Sequence, residues 1–99
     1  MLRIGEQLRA PVAAGGGRVT LVLYAQFIRN QPVPFGIDVL AGDQLVATWV
    51  PRQERRWVRI PLGPLAWPRG APLVLSAHGD HPQGALNGAI LDRIEFQWR

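Results

Sequence analysis

The stretch Asn87-Gly88-Ala89-Ile90-Leu91-Asp92-Arg93-Ile94-Glu95-Phe96-Gln97-Trp98 decides the fold class. A turn-forming Asn-Gly pair opens it, and an apolar run with alternating character follows, as expected of a strand with one buried face. Simple alternation puts Ile90, Asp92, Ile94, Phe96 and Trp98 on the inward face. That leaves a carboxylate in the middle of an apolar row. An unpaired buried carboxylate is costly, so Asp92 needs hydrogen-bond donors, a cation, or a β-bulge that turns it outward.

Upstream, the chain offers partners for this strand. Leu2 to Ile4 reads as a short edge strand. Residues 9 to 17 (RAPVAAGGG) read as punctuation, because Pro11 and three successive glycines break regular structure. Val19 to Ile28 (VTLVLYAQFI) is the strongest early β segment. It has Val19, Leu21, Leu23, Ala25 and Phe27 on one face and further apolar residues on the other, the mark of a central strand. Asn30 to Pro34 is a loop on account of its two prolines. Phe35 to Leu40 alternates with Asp38 outward, and Gly42-Asp43 joins it to Leu45–Val50 as a two-residue hairpin. Trp57 to Leu62 alternates with Val58, Ile60 and Leu62 inward. Trp57, Arg59 and Pro61 face outward, and the proline marks an edge. Gly63 to Ala71 reads as a loop carrying Trp67, and Pro72 to Ala77 as a further strand. His78 to Gly84 reads as a loop leading into the terminal strand. No segment carries sustained helical periodicity.

Ninety-nine residues suffice for one domain with one core. The absence of cysteine excludes disulfides and thiolate metal sites. No run is long enough to be a transmembrane helix, and the opening Met-Leu-Arg-Ile-Gly-Glu lacks signal-peptide character. The chain is expected to be either cytoplasmic or a domain cut from a longer, exported, extracellular or cell-surface protein. All 11 basic residues are arginine, giving a net charge of +4. A phosphate-binding surface usually mixes in lysine. Arginine without lysine, beside abundant Ala, Gly and Pro, points instead to a GC-rich or thermophilic bacterial source, and no nucleic-acid partner is expected.

Six to eight strands at roughly ten-residue spacing, with turn signals between them, favour an all-β antiparallel sandwich. The order is a long strand (VTLVLYAQF), a hairpin (IDVLAGDQLVATW), a tryptophan-led strand ending in proline (WVRIPL), a strand (LVLSA), a glycine-containing loop and a closing strand (GAILDRIEF). This order resembles the jelly-roll sandwiches of the galactose-binding-like superfamily, to which many carbohydrate-binding modules belong. Gly88, Leu91, Asp92, Ile94 and Phe96 match the closing pattern of such domains. The resemblance spans Val19 to Trp98 and implies a non-catalytic accessory module that binds a glycan. The calcium-site signature of several such modules is not matched, as Glu6 is the one acidic residue near the N-terminal end.

Ser76, His78, Asp80 and His81 supply the residue types of a hydrolytic triad. They are neighbours in sequence, however, and Ser76 sits on a strand without a G-x-S-x-G elbow, so no catalysis is expected. His78, Asp80 and His81 are also metal-ligand types, but a fourth ligand is missing. Asp92 is a candidate calcium ligand, its carboxylate suiting a hard cation; no other cofactor is expected. For glycan binding, exposed planar aromatics stack on the apolar faces of sugar rings while polar side chains bond the hydroxyls. The candidates are Trp57, Arg59, Trp67, Arg55, His78, Asp80 and Asn87. Arg52, Arg55, Arg56 and Arg59, with Arg69 near, form a basic cluster around Trp57. The alternative expectation is a structural or assembly domain that packs against a partner domain or against itself through Trp57, Trp67 and the second face of Val19–Ile28.

Overall fold

The computed structural model describes residues 2–12, 16–29, 34–52, 55–79 and 87–99. Among these, eight strands form two antiparallel sheets. Strands β1 (Leu2–Arg3), β8 (Gly88–Trp98), β3 (Gly17–Ile28) and β6 (Trp57–Trp67) make one sheet, in the order β1-β8-β3-β6. Strands β2 (Gln7–Ala10), β7 (Leu73–Gly79), β4 (Phe35–Ala41) and β5 (Gln44–Trp49) make the other, in the order β2-β7-β4-β5. Sequence neighbours alternate between sheets except for the β4–β5 hairpin, which is the connectivity of an eight-stranded jelly roll. The fold class expected from the sequence is the one observed.

Both sheets contribute to one core. Val19, Leu21, Leu23, Ala25 and Phe27 of β3 face Ile37 and Val39 of β4 and Leu73, Leu75 and Ala77 of β7, all buried. Phe27 stacks on Phe35 across the sheets, with ring centroids 4.9 Å apart. The β4–β5 hairpin closes through Gly42-Asp43, with Ala41 paired to Gln44. Gly42 has φ +62° and is the one loop position with positive φ. Glycine at the first of two loop positions is the type II′ arrangement, whose twist matches the flanking strands. Pro61 lies on β6, an edge strand, where a missing N–H costs no ladder bond.

Three irregularities shift the inward–outward phase, and those in β8 and β6 correct the sequence reading. In β8, Leu91 pairs with Ala25 and Arg93 with Tyr24, so Asp92 is an extra residue in a bulge. Before the bulge Ala89 and Leu91 face the core; after it Ile94, Phe96 and Trp98 do. Asp92 is therefore exposed rather than inward, and Ile90, expected inside, is 36% exposed. In β5, Val39 pairs with Ala47 and Leu40 with Leu45, which leaves Val46 as the extra residue. Leu45 turns outward, while Ala47 and Trp49 remain inside. In β6, Leu65 pairs with Val19 and Leu62 with Leu21, so Gly63 and Pro64, joined by a cis peptide, stand opposite Thr20. The strand continues past this point instead of ending at Leu62, and its phase shift brings Leu65 and Trp67 inward.

Residues 7–10, expected to be irregular in part, form β2 and pair with β7. Backbone groups of an added edge strand are satisfied by pairing whatever the local propensity, so tertiary context prevails there.

Candidate functional site

The outer face of the β1-β8-β3-β6 sheet carries the main concentration of chemistry. Cross-strand register places Tyr24 of β3 between Arg93 of β8 and Arg59 of β6. Gln26 pairs with Trp57 one row along. Residues directly opposite each other on one face have Cβ atoms about 4.5–5.5 Å apart, so these side chains form one patch. Trp57 is 57% exposed. It lines a shallow open cleft of about 280 Å³ together with Tyr24, Val58, Arg59 and Asp92. The β8 bulge is what brings Asp92 to this face.

The patch contains one pre-formed interaction and two open groups. The Arg93 guanidinium lies 4.1 Å from the centre of the Tyr24 ring, and its Nε is 3.3 Å from Glu95 Oε1. A side-chain hydrogen bond with Tyr24 holds Arg93 above the ordinary arginine range; desolvation opposes the shift, and the charges of Glu95 and Asp92 add to it. Arg93 is thus committed within the protein. Arg59 and Asp92, by contrast, make no hydrogen bond or ion pair with the described residues. A second cleft, about 310 Å³, is lined by Trp49, Val50, Arg52 and Val58. Val58 borders both, so the two adjoin around the start of β6.

The remaining candidates lie elsewhere. Trp67, expected in an exposed loop, is 3% exposed at the end of β6. Its Nε1–H donates to the Ala71 carbonyl at 3.0 Å, and its ring meets Phe96 edge-on at 5.6 Å. With both its hydrogen and its ring used internally, no face remains for a ligand. Asn87, expected at the surface, is 1% exposed and packs as an architectural residue at the head of β8. Arg55 is exposed just before Trp57, its backbone N–H bonded to the Phe27 carbonyl and its φ at +55°. Arg69 does not join the basic cluster: it follows the far end of β6, roughly 30 Å from Trp57 at about 3.3 Å per residue. Asp80 and His81 lie outside the described residues, as does most of the loop that carries them.

His78 sits on the other sheet, on the opposite side of the sandwich from Trp57. Its Nε2 is 3.1 Å from Asp38 Oδ1, and the Thr48 hydroxyl donates to the same oxygen at 2.9 Å. Gly36, the register partner of His78, leaves the room that the imidazole occupies; a Cβ there would lie 2.9 Å from the imidazole Cε1 and Nε2. Ser76 stands opposite Asp38 on the same ladder. The sequence reading grouped His78 with Asp80 and His81, but its partner is a carboxylate forty residues upstream. Among the described residues no three His, Cys, Asp or Glu side chains gather to hold a metal. Asp92 shares its cleft with the Arg59 guanidinium, a setting unfavourable to a divalent cation.

Tyr24 and Arg93 were not singled out in the sequence. The signal for them was the Asp92-Arg93 pair, two successive charged residues interrupting an alternating strand, which is what a bulge with both side chains outward looks like. Compared with known proteins, the chain matches no family model, no curated protein and no solved structure. Among the described residues no helix is long and apolar enough to cross a membrane.

Proposed function

We propose that this chain is a non-catalytic glycan-recognition module, similar in kind to the carbohydrate-binding jelly rolls, that binds through the outer face of the β1-β8-β3-β6 sheet. The observation that carries the reading is Trp57. More than half of its surface is exposed on the outward face of β6, and it borders a cleft shared with the Arg59 guanidinium and the Asp92 carboxylate. Sugar rings present apolar C–H faces to stack on an indole and hydroxyls for polar groups to bond. The test is a glycan array probed with the wild-type chain and with Trp57→Ala. Binding that disappears in the variant supports the reading. An array with no Trp57-dependent signal rejects it.

A second reading, an assembly domain, draws on Val50, 59% exposed, which lines the cleft that adjoins Trp57's through Val58. Together they give an apolar rim around Val58 of the kind seen at protein contacts. Light scattering separates the two: a stable oligomer dissolved by Val50→Asp, with a silent array, favours assembly.

A further inference from the structure

We propose that the cleft bordered by Trp57 selects an acidic pyranose, a sugar whose ring carries a carboxylate, over its neutral counterpart; this rests on the glycan-binding reading. The argument starts from the contrast between two arginines on one face. Arg93 has its charge met by Glu95 at 3.3 Å and by the Tyr24 ring at 4.1 Å. Arg59, the register partner of the same tyrosine on the other side, is exposed and makes no such bond with the described residues. An arginine fork matches a carboxylate in shape as well as charge, with two parallel N–H···O bonds.

Position supplies the next step. Trp57 and Arg59 are two residues apart on β6 and share its outward face, a separation of roughly 6.7 Å along the strand. A pyranose stacked on the indole therefore brings its exocyclic carboxylate within reach of the guanidinium. Asp92, placed in the same cleft by the bulge in β8, completes the selection. Its carboxylate accepts hydroxyl hydrogen bonds but repels densely charged groups such as sulfate esters or a phosphate backbone. One guanidinium and one carboxylate, neither in a hydrogen bond or ion pair with the described residues, in a cleft of about 280 Å³ suit a ligand with one negative charge and several hydroxyls. The small volume, at the lower limit of ligand sites, fits one or two sugar units. The excess of arginine over acid in the whole chain, +4, adds a long-range attraction to acidic chains.

The experiment is calorimetric titration of the full chain with oligogalacturonate and hyaluronan oligomers as acidic probes and galactose and glucose oligomers as neutral ones. Dextran sulfate and single-stranded DNA serve as polyanion controls. The expected result is acidic binding about fivefold tighter than neutral, a modest factor because the pair is exposed, falling on addition of salt. Arg59→Gln should lower acidic affinity far more than neutral affinity and so remove that preference, and Arg59→Lys should restore only part of it. Asp92→Asn, which removes a like charge and keeps an acceptor oxygen, should strengthen dextran sulfate most and the uronates less. Equal affinity for acidic and neutral probes, or an acidic preference that survives Arg59→Gln, overturns the inference and, if Trp57→Ala abolishes binding, leaves the glycan module standing. Sulfate or DNA binding tighter than uronate also overturns it. Silence to every sugar overturns both. Arg59 is exposed on an edge strand, so its variants fold, and a cooperative unfolding transition verifies this.

Discussion

The guanidinium of Arg93 lies 4.1 Å from the centre of the Tyr24 ring, on neighbouring strands of one sheet face. The pair keeps one arginine of the patch occupied and fixes the tyrosine that floors the cleft. Because the hydrogen bond with Tyr24 raises Arg93 above the ordinary arginine value, its stabilising contribution is present in full below the unfolded-state value. It is lost only as pH rises through the higher folded-state value, deep in the alkaline range. The contact should therefore be insensitive to pH across neutrality. Tyr24 ring resonances should hold constant from weakly acid to weakly alkaline solution and move in Arg93→Ala; ring shifts indifferent to that substitution would contradict the contact.

The bulge predicts an unusual tolerance. Deleting Asp92 makes Leu91 and Arg93 consecutive, opposite Ala25 and Tyr24, which are consecutive already. The ladder becomes regular and every apolar residue keeps its face. The deletion variant should give a native circular dichroism spectrum and a cooperative transition. Inserting an alanine between Ile94 and Glu95 should unfold the chain, because a one-residue slip sends Phe96 and Trp98 to solvent.

The tryptophans at the two ends of β6 should behave oppositely. Trp67→Ala removes a buried ring, its edge contact with Phe96 and its bond to Ala71, and should cost about 3–5 kcal/mol in urea denaturation. Trp57→Ala removes a mostly exposed ring and should stay within about 0.5 kcal/mol. Iodide should quench Trp57 fluorescence and leave Trp67 untouched. Comparable losses for the two would contradict the burial.

Gly36 predicts a local effect. A methyl group there would crowd the end of the His78 side chain, which is free to swing away, while the backbone it meets, the Trp49 carbonyl at 3.6 Å, is at ordinary van der Waals distance. Gly36→Ala should thus fold normally yet move His78 off Asp38. Its imidazole carbon and nitrogen shifts should come to resemble those of Asp38→Asn. Unaltered His78 shifts would show that the glycine is not what admits the ring.

Trp57, Arg59 and Asp92 were legible as chemistry but not as a group. Trp57 and Arg59 follow from alternation in one segment. Their meeting with Tyr24 depends on β3–β6 pairing, and that of Asp92 on β8 lying on the far side of β3. His78 shows the converse: adjacency in sequence suggested partners in its own loop, while pairing of β4 with β7 brought it to Asp38. Trp67 was misread because its Pro- and Gly-rich surroundings look like a loop, although β6 runs through them.

By itself, the sequence determined that the chain is built of short alternating strands, that Gly42-Asp43 turns a hairpin, and that Val19–Ile28 is central. Side-chain alternation and turn chemistry are local properties, written within a few residues. Only the tertiary structure decided where alternation breaks. An extra residue is unpaired only relative to a partner strand, so the bulges at Asp92, at Val46 and at Gly63-Pro64 exist through pairing with strands distant in sequence. Those three breaks put Asp92 outside beside Trp57, turned Leu45 to solvent and folded Trp67 into the core.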